Sequence, residues 1–117
     1  MSKHSKIGIK GEEIASNFLL NKGYNILFRN WRYGNKEVDI IAAKNDLIVF
    51  VEVKTRSGEK YQFPEEAVNK KKQSLLKAAA EGFTDQSTAK CNIRFDIVSV
   101  LLENDFVKEI VHFEEAF

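Results

Sequence analysis

Two carboxylates and a lysine occur on neighbouring predicted strands, and their side chains suit chemistry at a phosphate. Asp39 lies in one largely apolar segment, and Glu52 and Lys54 lie in the next segment along the chain. Carboxylate oxygens bind magnesium, which keeps several of its waters and also accepts phosphate oxygens as ligands. A lysine beside such a cation can orient a water molecule or stabilise developing negative charge. The three residues therefore predict a divalent-cation site that handles a phosphate.

A turn between the two predicted strands sets their register. Asn45 and Asp46 are turn formers, and they separate segments 37–44 and 47–54. If they form the two-residue loop of a hairpin, counting outward places Asp39 directly opposite Glu52. Opposed side chains have Cβ atoms about 5 Å apart, and two like charges there destabilise a sheet unless a positive group lies between them. Because side chains alternate with period two, Lys54 is expected on the same face as Glu52.

Apolar residues are expected on both faces of this hairpin. The face of the charged cluster also carries Ile41, Ile48 and Phe50, and the other face carries Val38, Ile40, Val49, Val51 and Val53. Charged groups at one end of a buried sheet need a partner, which a cation would supply. The alternative is an exposed salt bridge between Glu37 and Lys54, with Asp39 and Glu52 solvated at the strand ends.

Two predicted helices add further charged residues. Glu12 shares the apolar stripe of the first helix with Ala15 and Leu19, so it is expected to point inward. The alternative for Glu12 is an acid placed near a helix N-terminus because the helix dipole favours it. In the second helix Lys70 and Lys71 fall outside the inner stripe, which comprises Val68, Lys72, Leu75 and Ala79. The alternative for Lys72 is a snorkelling side chain that only covers apolar surface.

The hydrophobic patterns and turn residues predict seven elements that position these side chains. The expected order is a helix at 5–22, strands at 24–31, 37–44 and 47–54, a loop at 55–63, a helix from Pro64 to about Gly82, and strands at 92–102 and 106–113. This order predicts an α/β fold with a mixed sheet and helices packed on it. A chain of 117 residues, without linkers or repeats, is expected to form one domain over 1–117.

The composition excludes few partners but does limit the class of protein. Eighteen basic and seventeen acidic residues give a net charge of +1, so bulk charge neither requires nor excludes nucleic acid. Cys91 is the only cysteine, and His4 and His112 are isolated in the sequence, so the residues of a zinc site are lacking. No apolar run has the length of a membrane span, and the first residues lack the core of a signal peptide. We therefore expect a cytoplasmic protein that does not bind membranes.

The residues around the carboxylates resemble a known nuclease signature. The PD-(D/E)xK pattern is matched by two segments, E-V-D at 37–39 and F-V-E-V-K-T-R at 50–56. A closer resemblance, to the YraN-like family of small bacterial proteins, spans nearly the whole chain. It is carried by G-E-x-x-A at 11–15, P-E-E-A-V…K at 64–72, R-F-D at 94–96 and the closing A-F. The most specific part is the block E-x-D…F-V-E-V-K-x-R.

The resemblance implies a restriction-endonuclease-like fold, related to Holliday-junction resolvases, with a mixed sheet of about five strands flanked by helices. It implies that Asp39 and Glu52 hold Mg²⁺ or Mn²⁺, that Lys54 assists the attacking water, and that Glu12 matches the helix acid of the resolvase-like group. The chain departs from the family pattern at Lys36, where glycine usually precedes the glutamate. The turn that enters the acidic strand is therefore expected to differ here.

Basic residues near the acidic centre predict a nucleic-acid partner. We expect phosphate contacts from Arg56, Lys70, Lys71 and Lys72, within a wider basic rim that includes Arg29, Arg32, Lys54 and Lys60. Two functions stay open: a metal-dependent nuclease acting on DNA, branched or damaged, or on RNA, and a binding module for nucleic acid or protein that kept the fold without turnover. Resolvase relatives act as dimers, so a homodimer is also open, although the sequence marks no dimer face.

Overall fold

The fold is taken from a computed structural model, in which residues 6–57, 69–85 and 92–117 are described. The elements are α1 (Lys6–Asn21), β1 (Asn25–Tyr33), β2 (Lys36–Lys44), β3 (Leu47–Ser57), α2 (Lys70–Asp85), β4 (Asn92–Glu103) and β5 (Phe106–Phe113). The five strands form one sheet in the order β1-β2-β3-β4-β5. The predicted α/β class, with a mixed sheet of five strands flanked by helices, is confirmed. Neither described helix is long and apolar enough to span a membrane.

The sheet is mixed because its central pair of strands is parallel. β3 pairs with β4 in parallel from Leu47 opposite Asn92 to Ser57 opposite Leu102, and the other neighbouring strands pair antiparallel. The predicted hairpin between β2 and β3 is present, and Asn45 adopts the left-handed φ of 56° that its turn requires. β3 continues to Ser57 rather than ending at Lys54, because β4 supplies backbone partners along its other edge.

Each face of the sheet carries its own apolar core. Ala15 and Leu19 of α1 pack on one face, against the core residues Ile40, Ala42, Val49, Val51, Val98 and Val100. Leu76, Ala79 and Ala80 of α2 pack on the other face, against Val38, Ile41, Phe50 and Ile97. We call these the α1 face and the α2 face. Val38 was expected beside Ile40, and this prediction is wrong, because the alternation of β2 is interrupted between Val38 and Ile41.

Asn69 interrupts the helix predicted from Pro64, and the second described helix begins at Lys70. Asn69 precedes it, and its side-chain Oδ1 accepts a hydrogen bond from the N–H of Lys72 at 2.9 Å, as a helix N-cap does. The helix then runs to Asp85, three residues past the predicted end. Leu75 is 38% exposed and Leu76 is buried in its place, so the inner stripe is displaced by one residue there. Residues 58–68, with Lys60, Pro64 and Val68, lie outside the described residues, as do His4 and Cys91.

Close packing of α1 on β3 requires a glycine at position 11. A Cβ atom built on Gly11 would lie 1.9 Å from Oγ1 and 2.8 Å from Cβ of Thr55. Thr55 is β-branched and has little freedom to move its side chain away. The missing side chain at Gly11 therefore lets the helix approach the strand that carries Glu52, and it places Glu12 beside that strand.

The contact between Gly11 and Thr55 predicts an unusual response to alanine. Alanine normally stabilises a helix relative to glycine by about 1 kcal/mol. At this position Gly11→Ala should instead lower the free energy of unfolding by about 1 to 3 kcal/mol, because of overpacking against Thr55. Urea denaturation measures this change. Asn17→Ala, at an exposed position of the same helix, is the control and should be neutral or stabilising; equal stability of Gly11→Ala and wild type would contradict the packing argument.

Candidate functional site

The carboxylate of Asp39 lies where β2 and β3 stop pairing. The paired residues of the two strands end at Ile40 and Val51. One residue further out, Oδ2 of Asp39 accepts a hydrogen bond of 2.8 Å from the backbone N–H of Val53. On the other side of Asp39, Asn30 of β1 has a left-handed φ of 54° and interrupts the regular pairing of β1 with β2. This irregularity turns the Asp39 side chain into the gap between the strands and breaks the alternation at Val38.

Glu52 places a second carboxyl group against the first. Glu52 is only 4% exposed, and its side chain is within hydrogen-bonding reach of the Asp39 carboxyl group. The pKa of Glu52 is raised to about 8, mainly by burial and then by the charge and hydrogen bond of Asp39, while Lys72 and Lys54 oppose the rise. The structure therefore brings Asp39 and Glu52 together, as the hairpin register predicts.

Two lysines approach the same oxygen of Glu52. The Nζ atoms of Lys54 and Lys72 each lie 3.7 Å from Oε2 of Glu52. Lys54 reaches it from β3 itself, and Lys72 reaches it from the first turn of α2. The other oxygen, Oε1, is buried and has no hydrogen-bond partner among the described residues. The inward position predicted for Lys72 is confirmed, and both ammonium groups remain partly exposed to solvent.

Glu12 is buried on the α1 side and is not part of the same carboxylate pair. Its exposed fraction is 6%, so the prediction that it points inward is confirmed. Among residues 6–57, 69–85 and 92–117, no three acidic, histidine or cysteine side chains lie close enough together to form a metal centre. The structure thus joins Asp39 and Glu52 without adding Glu12 as a third ligand, and its role in the site stays a prediction.

The remaining predicted basic residues differ in their exposure to solvent. Lys70 and Lys71 are exposed at the start of α2, and Arg56 is half-buried on β3 beyond Lys54. Arg32 of β1 pairs with Glu37 of β2, with its Nε 3.1 Å from Oε2. The alternative in which Asp39 and Glu52 are solvated strand ends is wrong, because Glu52 is buried and Asp39 accepts a backbone hydrogen bond.

The donor set fits a hard divalent cation. Two adjacent carboxyl groups supply oxygens only, and magnesium or manganese prefers such ligands. Without a cation, Glu52 keeps its proton because its pKa is raised, so the pair carries one negative charge fewer. Because metal ligands must be deprotonated, a bound cation would compete with that proton. The buried and unbonded Oε1 of Glu52 is the acceptor that a cation would satisfy.

A second buried polar cluster, on the α1 face, involves a residue that sequence reasoning dismissed. Asp96 of β4 is fully buried, and Arg94 donates to both of its oxygens, at 2.8 and 2.7 Å. Nε2 of His112 lies 2.7 Å from Oδ2 of Asp96, and the N–H of Glu115 donates to Oδ1. Arg94 also donates to the hydroxyl of Tyr24 at 2.7 Å. His112, which stands alone in the sequence, is therefore not isolated in the fold.

This second cluster ties the chain end to the sheet. Burial alone would raise the pKa of Asp96, but hydrogen bonds from His112, Arg94 and the backbone of Glu115 outweigh it and hold the pKa below its usual value. Alternation along β4 places Arg94 and Asp96 on one face, which is a signal in the sequence. The sequence alone does not indicate that Val98 pairs with His112, because this pairing depends on the register of β4 and β5.

Comparison with known proteins identifies a family. The model of a family described as "Uncharacterised protein family UPF0102" matches residues 11–100. A UPF0102 protein of Chloroherpeton thalassium is 41% identical over 125 residues, covering 100% of this chain and 97% of its own. Another, from Alkaliphilus oremlandii, is 44% identical over 118 residues, covering 97% and 99%. A third, from Bacteroides thetaiotaomicron, is 42% identical over 117 residues, covering 100% and 96%.

The carboxylate pair predicts a pH dependence of stability. The unfolded chain loses the Glu52 proton near pH 4.5, whereas the folded protein keeps it until about pH 8. The folded state therefore binds more protons between these values, and this group lowers the free energy of unfolding as pH rises through that range. Glu52→Gln should remove this slope and should be more stable than wild type at pH 8 by about 1 kcal/mol.

Urea denaturation at a series of pH values without divalent cations measures the effect. Glu103→Gln is the control, since Glu103 is exposed and forms an ion pair with Lys108 at the surface. It should leave the slope unchanged. A Glu52→Gln protein that keeps the wild-type slope would contradict the assignment of the raised pKa to Glu52.

The second cluster predicts a large loss of stability on removal of its central charge. Asp96→Asn leaves the largely buried Arg94 without its buried carboxylate partner, and the free energy of unfolding should fall by about 3 to 5 kcal/mol. Because the pKa of Asp96 is lowered on folding, its contribution is complete above the ordinary value of about 3.9 and is lost as pH falls through the lowered pKa.

Chemical denaturation at neutral and acid pH tests this prediction. Glu114→Gln is the matched control, because Glu114 is an exposed partner of Arg94 at 3.5 Å. It should cost less than about 1 kcal/mol. The difference between wild type and Asp96→Asn should shrink at acid pH, and a difference that stays constant would show that charge on Asp96 is not its cause.

Proposed function

The chain belongs to the UPF0102 family, and we propose that it is a metal-dependent nuclease with a PD-(D/E)xK site that hydrolyses phosphodiester bonds in nucleic acid. The observation that carries the proposal is the buried contact between Asp39 and Glu52, with Lys54 and Lys72 beside it. The proposed cation is Mg²⁺ or Mn²⁺, and the proposed substrate is DNA, branched or damaged, or RNA.

The carboxylate pair supports a metal site because it works against folding. Two adjacent acids in a buried position raise the pKa of Glu52, which is the sign of an unfavourable environment for its charge. A binding module has no need for this arrangement, since isolated phosphate contacts are made by exposed cations. A site that binds a divalent cation does need it, because the cation requires two or more oxygen ligands in one place.

Each residue of the proposed site has a distinct task. When bound, the cation polarises a phosphoryl oxygen and lowers the pKa of a water ligand. Asp39 and Glu52 hold it, and the hydrogen bond from Val53 fixes the orientation of the Asp39 carboxylate. The ammonium group of Lys54 lies 3.7 Å from Glu52, where it can orient water or stabilise developing negative charge. Glu12, buried on α1, is proposed as a further catalytic acid, because it matches the helix acid of the resolvase-like group.

The basic residues around the site are proposed to hold the phosphate backbone. Lys70 and Lys71 are exposed on the first turn of α2, Lys72 extends toward Glu52, and Arg56 lies further along β3. Contacts of this kind position a nucleic acid without reading its bases. The proposal therefore includes selection by the structure of the substrate rather than by its sequence. It also includes a cytoplasmic location, where such a substrate is available.

Asp39→Asn should separate hydrolysis from binding. Asparagine keeps the side-chain size and an oxygen that can accept the hydrogen bond from Val53, but it removes the charge that the cation needs. Cleavage should fall by at least about a hundredfold, while binding to the phosphate backbone survives or tightens as repulsion falls. Cleavage is measured on branched, flapped and single-stranded DNA and RNA with Mg²⁺ or Mn²⁺, and binding by fluorescence anisotropy.

Lys71→Ala should give the opposite phenotype. It removes one proposed phosphate contact, so affinity should weaken for all substrates and the salt dependence should decrease by about one counterion. Lys77→Ala, an exposed lysine further along α2, is the control and should alter neither property. The nuclease proposal fails if wild type shows no metal-dependent cleavage of any substrate, or if Asp39→Asn cleaves as well as wild type. Binding without cleavage would favour the binding module.

A further inference from the structure

A pocket opens beside the proposed metal site, between the β1–β2 turn and the first turns of α2. Its volume is about 370 Å³, and its lining includes Arg32, Asn35, Lys36, Glu37, Lys72 and Leu75. The volume is at the lower end of the range for ligand pockets, which suits a ligand of the size of one nucleotide. No residue of the carboxylate pair lines it, so it is a separate concavity next to that pair.

The charge of the lining favours an anion. Three cationic side chains, those of Arg32, Lys36 and Lys72, face one carboxylate. That carboxylate, Glu37, already forms an ion pair with Arg32 at 3.1 Å. Lys36 is half-buried and forms no ion pair within the described residues. A phosphate entering the pocket would therefore meet an ammonium group that forms no ion pair with a carboxylate of residues 6–57, 69–85 or 92–117.

Lys72 connects the pocket to the metal site. Its side chain lines the pocket, and its Nζ lies 3.7 Å from Oε2 of Glu52. The Lys72 side chain therefore separates an anion bound in the pocket from the carboxylate pair. If the phosphate to be cleaved lies at the metal site, the nucleotide next to that phosphate is close enough to enter the pocket.

The walls of the pocket are held by packing and include an apolar surface. Tyr33, which lies between two lining residues in sequence, stacks on Trp31 and packs on Gly82 of α2, where a Cβ atom would lie 2.6 Å from the Tyr33 ring. This contact fixes the β1–β2 turn against the helix. Leu75 is 38% exposed and supplies the apolar part of the lining. A base can lie against such a surface while its phosphate meets Lys36.

We propose that this pocket receives one unpaired nucleotide of the substrate, next to the bond that is cleaved. A base inside a continuous duplex is stacked and cannot enter a concave pocket unless it is first extruded. The pocket therefore selects nucleic acid with an unpaired nucleotide at the cleavage position, such as a flap, a mismatch or a single strand. This inference rests on the proposed nuclease function, because it needs the substrate to lie at Asp39 and Glu52.

The test compares affinity for paired and unpaired substrates in the absence of divalent cations. Labelled duplexes, fully paired or carrying a short unpaired strand, are titrated with the full chain and followed by fluorescence anisotropy, in DNA and in RNA versions. Wild type should bind the substrate with the unpaired strand more tightly. Lys36→Ala should weaken that binding by about tenfold, as loss of one charge-assisted contact does, and should leave the paired duplex within about twofold.

A second variant and a control keep the result interpretable. Leu75→Glu places a carboxylate in the pocket at an already exposed position, and it should remove the same preference without affecting folding, which thermal unfolding checks. Lys77→Ala lies on the same helix outside the pocket lining and should keep the preference. Loss of the preference in both pocket variants and its retention in the control would support the proposal.

The outcomes separate this proposal from the nuclease proposal. If wild type cleaves nucleic acid but binds paired and unpaired substrates equally, the pocket proposal is wrong and the nuclease proposal stands. The same conclusion follows if Lys36→Ala and Leu75→Glu weaken both substrates equally. If wild type neither binds nor cleaves any of them, both proposals are wrong.

Discussion

One hydrogen bond, from the backbone N–H of Val53 to the carboxylate of Asp39, marks the point on which the geometry of the site depends. β3 must pair with β4 as far as Ser57, but β2 no longer follows it beyond Ile40. The N–H of Val53 would lose its partner there, and a buried donor without a partner is costly. The side chain of Asp39 replaces the missing strand, so the same bond that completes the sheet also holds a carboxylate against Glu52.

The site is a place where local electrostatics oppose stability and the surrounding fold compensates. Glu52 is buried beside another acid, and only Lys54 and Lys72 offset its charge, from positions that remain partly in solvent. Elsewhere the protein shows the opposite arrangement: Asp96 is buried too, but Arg94, His112 and a backbone N–H satisfy its oxygens. Glu52 and Asp96 are therefore buried in opposite electrostatic environments. Asp96 has hydrogen-bond partners for both oxygens and stabilises the chain end. Glu52 keeps one oxygen without a hydrogen bond among the described residues, which is typical of a ligand-binding site.

The sequence predicts those features that depend on neighbouring residues. The turn at Asn45 and Asp46 fixes the register that brings Asp39 to Glu52, and helical spacing places Lys72 toward the sheet. Features that depend on distant segments are not predictable in this way. The extension of β3 over Thr55 to Ser57 requires β4 beside it, and nothing in these polar residues alone indicates a strand. Val38 changes face beside the left-handed Asn30 of the neighbouring strand, and His112 meets Asp96 through the pairing of β4 with β5.

The parallel pairing of β3 with β4 also has a consequence for the order of folding. β1, β2 and β3 are joined by short turns, so their antiparallel contacts close small loops at little entropic cost. The pairing of Leu47 with Asn92 closes a much longer loop, which contains the α2 helix. Hairpins form in microseconds, whereas such long-range pairing is slow. We therefore expect the Asp39 and Glu52 carboxylates to come together early in folding, while they are still hydrated, and β4 to enclose them later.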